Sequence, residues 1–163
     1  MSKFTIVNEQ DEVIGYKDLS MITGGDINRS AALWITNDEG KILLAKRALM
    51  KEREPGVWGP AVAGMIEEGE TYYSNIVKEA EEEIGLKGIQ PTEGPKIRVS
   101  QKHNYFCQWY LLVFNGSLSD LKIQEEEVSE LKWFSPEELK RQLINSPEQF
   151  IDSANGWIEW FRL

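Results

Sequence analysis

Residues 64–86 read GMIEEGETYYSNIVKEAEEEIGL. From Thr71 to Ile84 the composition favours a helix, for which Thr71 is a suitable N-cap. At about 100° per residue, Glu82 and Glu83 fall within about 60° on either side of Glu79, so the three carboxylates form one compact patch. A separate arc of apolar side chains is expected to face the core: Tyr73, Ile76, Val77, Ala80 and Ile84.

This carboxylate patch is unfavourable for an isolated helix. Glu79 and Glu83 are a like-charge pair four residues apart, which destabilises a helix by a few tenths of a kcal/mol. The acids also lie in the C-terminal half, where the helix dipole prefers cations. We therefore expect a bound cation; the alternative is a solvated acidic face, as we expect for Glu81, which points away from the patch.

The spacing of the defined residues is informative. Glu70 stands six positions after Gly64, and Lys78 and Glu79 stand eight and nine positions after Glu70. With the segment from Glu82 to Leu86, this resembles the Nudix box, Gly-x5-Glu-x7-Arg-Glu-U-x-Glu-Glu-x-Gly-U, where U is apolar. Each defined position matches except Lys78, which stands where the family has arginine. The resemblance covers roughly residues 28–142.

The resemblance implies an α/β fold: a Nudix α/β/α sandwich around a mixed β-sheet, with an N-terminal β-hairpin. We expect a single domain over residues 1–163, with the hairpin in residues 1–20, the box at 64–86 and a C-terminal helix at about 147–161. The hairpin and the loop Arg53–Gly64 look like the branch that includes isopentenyl diphosphate isomerase. Composition predicts strands at Phe4–Val7, Val13–Tyr16, Ser30–Thr36, Lys41–Lys46 and Tyr105–Phe114, a loop at Glu52–Pro60 and a helix capped by Ser135.

The resemblance also implies the chemistry. Glu79, Glu82 and Glu83 match the family's ligands for Mg²⁺ or Mn²⁺, and the carbonyl of Gly64 often assists. Of these, Glu82 and Glu83 are the expected catalytic residues. Carboxylate oxygens suit such hard cations, which neutralise phosphate oxygens and activate water. Glu70 matches the glutamate that braces the helix through the basic residue, here Lys78; lysine keeps the charge but lacks the bidentate fork of arginine.

Three residues outside the box are further candidates. Glu127 is a candidate for an additional ligand or general base, although Glu125 and Glu126 compete for that role. Arg47 could contact a substrate phosphate, and a surface arginine is the alternative. Trp58 could stack on a substrate ring, and filling of the core is the alternative.

Composition restricts the partners. A net charge of −9 over 163 residues argues against nucleic acid or an anionic membrane as a partner, because both would be repelled. The lone cysteine, Cys107, fits a reducing compartment, and we expect a cytoplasmic protein without a leader or a membrane span. The expected partner is a small phosphorylated substrate. Trp157, Trp160 and Phe161 are expected to pack in the core, with a homodimer contact as the alternative.

The first functional prediction is therefore Mg²⁺-dependent hydrolysis of a pyrophosphate linkage, for example in a nucleoside diphosphate derivative. The alternatives are a Nudix-fold binding module without catalysis and an isoprenoid diphosphate isomerase. The isomerase chemistry needs a cysteine before the box and a glutamate in the following sheet. The stretch Arg53–Ala63 has no cysteine and Tyr105–Phe114 has no acid, so the isomerase is disfavoured.

Overall fold

A computed structural model of the chain describes residues 2–163. Its strands are β1 (Lys3–Val7), β2 (Val13–Asp18), β3 (Ile27–Thr36), β4 (Ile42–Arg47), β5 (Trp58–Pro60), β6 (Val62–Met65), β7 (Thr92–Val99), β8 (Tyr105–Val113) and β9 (Val128–Phe134). Its α-helices are α1 (Tyr72–Ile84), α2 (Pro136–Asn145) and α3 (Trp157–Trp160). Short 3-10 helices cover Leu19–Met21, Leu118–Asp120, Pro147–Gln149 and Asp152–Gly156. In this part of the chain, no helix is long and apolar enough to cross a membrane.

Strand β3 is the centre of a mixed sheet. It pairs in parallel with β8 over its length, from Asn28 opposite Tyr105 to Thr36 opposite Val113. Its other edge pairs antiparallel with β1, β6 and β4 in turn. Strand β2 extends β1, β7 extends β8, and β5 and β9 pair with β4. The predicted mixed sheet is confirmed.

Successive side chains of β3 point to opposite faces of the sheet. Ala31, Leu33 and Ile35 pack with the buried side of α1 in one cluster. Ala32 and Trp34 pack on the other face with side chains from α2 and α3. Helices therefore cover both faces, and the predicted α/β/α sandwich is confirmed.

The five predicted strands and the two helices that begin near Thr71 and Ser135 are present. Four further strands were missed. Strands β5 and β6 have only three and four residues and adjoin each other within a stretch rich in glycine and proline, which hides them from a composition-based prediction. Strand β7 contains Gly94 and Pro95, and its register with β8 shifts between Glu93 and Lys96.

The predicted continuous helix over residues 147–161 is wrong. The chain is instead extended at Phe150 and Ile151, where the amide of Ile151 donates to the carbonyl of Trp58 at 2.9 Å. This pairing with β5 interrupts the helix, which leaves two 3-10 helices and the four-residue α3. Trp157 is fully buried and Phe161 stacks on Trp34 at 3.9 Å between ring centroids, so the packing of these aromatics in the core is confirmed.

The predicted N-terminal hairpin, formed by β1 and β2, holds the box loop. The amide of Thr5 donates to the carbonyl of Ile66 at 3.0 Å, and the amide of Glu68 donates to the carbonyl of Lys3 at 2.7 Å. The hairpin turn also carries Asp11, which anchors three other elements.

Asp11 is a hub of charge-assisted hydrogen bonds. Its carboxylate accepts from Nζ of Lys96 at 2.6 Å, from Nε of Arg29 at 2.7 Å and from the hydroxyl of Tyr72, the first residue of α1, at 2.9 Å. Burial alone would raise the pKa of Asp11, but these hydrogen bonds outweigh it and lower the pKa below 3.8.

We predict that Asp11→Asn lowers the free energy of unfolding by about 1–3 kcal/mol, because hydrogen bonds to a charged group at this hub are lost. Urea unfolding at neutral pH measures the change, and Asp38→Asn in an exposed turn is the control. The contribution of Asp11 is present above pH 3.8 and is lost as the pH falls through its lowered pKa, so the parent and the variant should converge in acid. Equal stability of the two at neutral pH would contradict this role.

Candidate active site

Helix α1 is fixed at both ends. The hydroxyl of Thr71 accepts from the amide of Ser74 at 3.0 Å, and Oγ of Ser74 accepts from the amide of Thr71 at 2.9 Å. Serine thus completes the reciprocal cap that usually needs Glu or Gln. At the other end, Gly85 has φ 71° and its amide donates to the carbonyls of Ala80 and Glu81. Glycine adopts this left-handed conformation without strain.

The buried side of α1 fixes the direction of its glutamates. Ile76, Ala80 and Ile84 are fully buried against β3. This orientation turns Glu83 inward, where only 7% of the residue is exposed and the amide of Ala63 donates to its carboxylate. Glu82 lies at the exposed edge of the predicted patch.

Burial and mutual repulsion disfavour the charged forms of these carboxylates. Burial raises the pKa of Glu79 to about 7; the charge of Lys78 opposes the shift, and that of Glu82 adds to it. Burial, and then the charges of Glu79 and Glu127, raise the pKa of Glu83 well above its usual 4.5. A bound cation would stabilise the ionised forms of these carboxylates and so lower their pKa values.

The cluster fits a hard divalent cation. Among the described residues, Oε2 of Glu83 is buried and has no hydrogen-bond partner. An unpartnered buried carboxylate oxygen is costly unless a cation or donor satisfies it. Glu79 and Glu82 supply further carboxylate oxygens beside it, which is the donor type that Mg²⁺ and Mn²⁺ prefer.

Gly64 leaves the space that Glu79 occupies. A Cβ at position 64 would lie 2.7 Å from Cγ and 2.9 Å from Cδ of Glu79. Side chains do not approach that closely, so any residue other than glycine would displace the carboxylate. The structure therefore gives a steric reason for the glycine at the start of the box.

Lys78 braces the box loop against α1. Its Nζ lies 2.7 Å from Glu67, 2.7 Å from Glu70 and 3.6 Å from Glu79. Glu70 also accepts from the amide of Glu67 at 2.8 Å and from Nδ2 of Asn75 at 3.1 Å. The ammonium thus contacts two loop carboxylates, and Glu67 takes part in the brace.

Glu127 reaches the cluster from the segment before β9. It is half-buried, whereas its competitors Glu125 and Glu126 are exposed, and its charge adds to the raised pKa of Glu83. The amide of Gln124 donates to the carbonyl of Glu83 at 2.8 Å, which ties this segment to the end of α1. The Glu127 carboxylate forms an ion pair with Lys51. Lys51 lies in the loop after β4 and is 76 residues from Glu127 in sequence, so no local pattern had identified it.

Arg47 and Trp58 are engaged in structural contacts. The guanidinium of Arg47 donates to the carbonyls of Arg53 and Glu54, at 2.9 and 3.1 Å, and so closes the loop that follows β4. Trp58 is 9% exposed and packs edge-on against Phe134. Cys107 is buried, and burial raises its pKa to about 12, as expected for an inert thiol.

Comparison with known proteins identifies the class. The NUDIX domain model matches residues 26–160. The uncharacterized Nudix hydrolase YfcD of Escherichia coli is 31% identical over 136 residues, which covers 82% of this chain and 74% of that protein. A Nudix hydrolase of Listeria monocytogenes is 27% identical over 154 residues, which covers 93% of this chain and 89% of that protein. The chain belongs to the Nudix family, and the prediction of a Nudix hydrolase is confirmed.

Solved structures share the fold. The protein DR0079 of Deinococcus radiodurans superposes with a TM-score of 0.76 at 22% identity, covering 88% of this chain and 90% of that one. The Nudix domain of NrtR from Shewanella oneidensis was solved in complex with ADP ribose. It superposes with a TM-score of 0.62 at 18% identity, which covers 89% of this chain and 91% of that one.

We predict that Gly64→Ala raises the Mg²⁺ concentration needed for half-maximal turnover and lowers kcat, because the new methyl group displaces Glu79. The fold should tolerate the change, since the clash is with a flexible side chain. Turnover against Mg²⁺ concentration and the Tm measure the two effects. Gly15→Ala is the control, because a Cβ there meets nothing within 4 Å. Unchanged Mg²⁺ dependence would contradict the proposed position of Glu79.

For the brace, Lys78→Arg should retain or raise kcat, because a guanidinium can pair with two carboxylates through parallel hydrogen bonds. Lys78→Met should lower kcat by on the order of a hundredfold, because misplaced groups are costly to catalysis. Both are measured at saturating Mg²⁺, with Lys87→Met at an exposed lysine as the control. A large loss in Lys78→Arg would instead indicate that the lysine contacts the substrate.

Proposed function

We propose that this chain hydrolyses a pyrophosphate linkage in a small phosphorylated metabolite, with Mg²⁺ or Mn²⁺ as its cofactor. The observation that carries the proposal is the buried, unpartnered oxygen of Glu83 within a cluster of carboxylates. A purely structural glutamate would be expected to have a hydrogen-bond partner at this depth.

The roles of the residues follow from their positions. Glu79, Glu82 and Glu83, with the carbonyl of Gly64, would hold the cation. When bound, it supplies charge neutralisation of the diphosphate and acidification of a water molecule. Glu127, beside Glu83, is the candidate for proton abstraction from that water or for an additional ligand. Lys51 puts a positive charge at the same place, where it would attract the phosphate oxygens.

A nucleoside diphosphate derivative is the substrate class that we favour. The Nudix domain of NrtR, which has a similar fold, binds ADP ribose. The net charge of −9 repels such an anion, and a cation held by the carboxylate cluster, together with Lys51, would offset that repulsion at the site. A binding module without catalysis would need neither the complete set of box carboxylates nor their brace by Lys78.

The test is a phosphate-release screen of nucleoside triphosphates, dinucleotides, nucleotide sugars and coenzyme derivatives, each with Mg²⁺ and with Mn²⁺. We expect turnover of at least one compound that EDTA abolishes and added Mg²⁺ restores. Undiminished turnover in EDTA would exclude the metal mechanism.

Glu83→Gln should remove most of this turnover, whereas Glu81→Gln on the exposed side of the same helix should not. In EDTA, Glu83→Gln should be at least as stable as the parent, because a buried charge and a like-charge contact are removed. The Tm in EDTA separates lost chemistry from lost folding. Equal damage by the two substitutions would contradict the assignment of the carboxylate face.

A further inference from the structure

A polar pocket of about 330 Å³ opens where β3 and β8 begin, outside the carboxylate cluster. Asn28 and Tyr105, which are opposite each other in the sheet, form one wall. The other lining includes Arg53 from the loop after β4, and Lys102 and His103 from the turn between β7 and β8. None of these side chains has a role in the chemistry proposed above.

The lining of the pocket carries two cationic side chains, Arg53 and Lys102, in a chain with a strongly negative net charge. Within residues 2–163, the guanidinium of Arg53 makes no ion pair, and its hydrogen bond goes to Nδ1 of His103 at 2.8 Å. Lys102 has only an exposed contact of 3.5 Å with Asp152. The one acid in the lining, Asp26, is neutralised by Lys17 at 2.9 Å.

The neighbouring acids do not make this place a cation site. Glu54, His103 and Asp152 bring one ligand atom each within 4.8 Å of one another. However, arginine is always a donor, so Nδ1 of His103 must accept and the proton of a neutral ring lies on Nε2. Neither ring nitrogen is then free to bind a metal. Glu54 is also engaged, because it accepts from the amide of Asp152 at 2.6 Å.

Strands β3 and β6 link the pocket to the backbone beside the carboxylate cluster. Asn28 and Ala32 point to the same side of β3, and Ala32 is opposite Ala63, whose amide donates to Glu83. Four residues of a strand span roughly 13 Å. Along this path Ala63 is exposed and Ser30 is half-buried, whereas Ala32 is buried.

The loop after β4 reaches both the carboxylate cluster and the polar pocket. Lys51 pairs with Glu127 beside the cluster, and Arg53, two residues later, contacts His103 in the pocket. Lys102 has a backbone φ of 65° and Glu54 one of 47°, conformations that non-glycine residues rarely adopt and that concentrate at functional sites. A ligand lying along this loop would therefore meet Lys51 and the carboxylates at one end and Arg53 at the other.

We propose that this pocket binds a second phosphate group of the substrate, with Arg53 and Lys102 as its ligands and His103 orienting Arg53. The inference rests on the proposed function and narrows it: the preferred substrates are diphosphates that carry a further phosphate on the part remote from the cleaved bond. Two cationic side chains match a phosphate dianion, and arginine offers it paired donors.

The sole histidine of the chain provides a direct readout. In the untagged protein with EDTA, inorganic phosphate is titrated while the His103 ring signals are followed by NMR at constant pH and ionic strength. We expect a saturable shift that acetate does not produce. Arg53→Ala and Lys102→Ala should abolish or greatly weaken it, and Arg141→Ala, at an exposed arginine of α2, should leave it intact.

A kinetic comparison uses coenzyme A and dephospho-coenzyme A, two diphosphates that differ by one phosphate. We expect KM to be about tenfold or more lower for coenzyme A, as hydrogen bonds to a charged group imply. In Arg53→Ala this ratio should collapse, whereas Arg141→Ala should keep it.

The outcomes separate the two proposals. If phosphate does not move the His103 signals in a protein that is an active pyrophosphohydrolase, the pocket proposal is wrong and the proposed function stands. If the signals move in a protein that hydrolyses no diphosphate, the anion pocket is real and the proposed function is wrong. A shift that persists unchanged in both Arg53→Ala and Lys102→Ala would also overturn the pocket.

Discussion

The burial of the Glu83 carboxylate against β6 is the constraint on which the site depends. An acid at this depth is costly, and the amide of Ala63 satisfies only part of it. The cost is tolerated because the same helix buries Ile76, Ala80 and Ile84 completely against β3. Hydrophobic packing thus fixes the rotation of α1, and that rotation forces the carboxylates together where a cation would relieve their repulsion.

Residues around α1 fix the positions of its glutamates and of the box loop. Gly64 leaves room for Glu79, and Lys78 joins the loop acids Glu67 and Glu70 to the helix. Beyond them, β1 pairs with the box loop through backbone hydrogen bonds, and Asp11 contacts the first residue of α1. Residues 2–25 lie outside the matched NUDIX domain, yet they directly support the box.

The loop between β4 and β5 connects the carboxylate cluster with the polar pocket. Arg47, a candidate for contact with a substrate phosphate, closes this loop by donating to the carbonyls of Arg53 and Glu54 and so fixes the positions of its neighbours. Through that closure, Lys51 lies at the carboxylates and Arg53 at the polar pocket. The loop is therefore the segment in which we expect substrate preference to differ among relatives, because loop residues vary more freely than those of a packed core.

The sequence by itself determined the family, because the box residues stand at fixed local spacing, and the sandwich fold, because the resemblance to that family implies it. Helical periodicity determined the face of α1 that carries Glu79, Glu82 and Glu83. The steric role of Gly64, the contact of Lys78 with Glu67 and the pairing of Lys51 with Glu127 were decided only by the tertiary structure. Each of these brings together side chains from separate segments or depends on close approach, which no local pattern encodes. The predicted helix over residues 147–161 is wrong for the same reason. The pairing of this segment with β5 is a long-range backbone interaction that overrides local helix propensity.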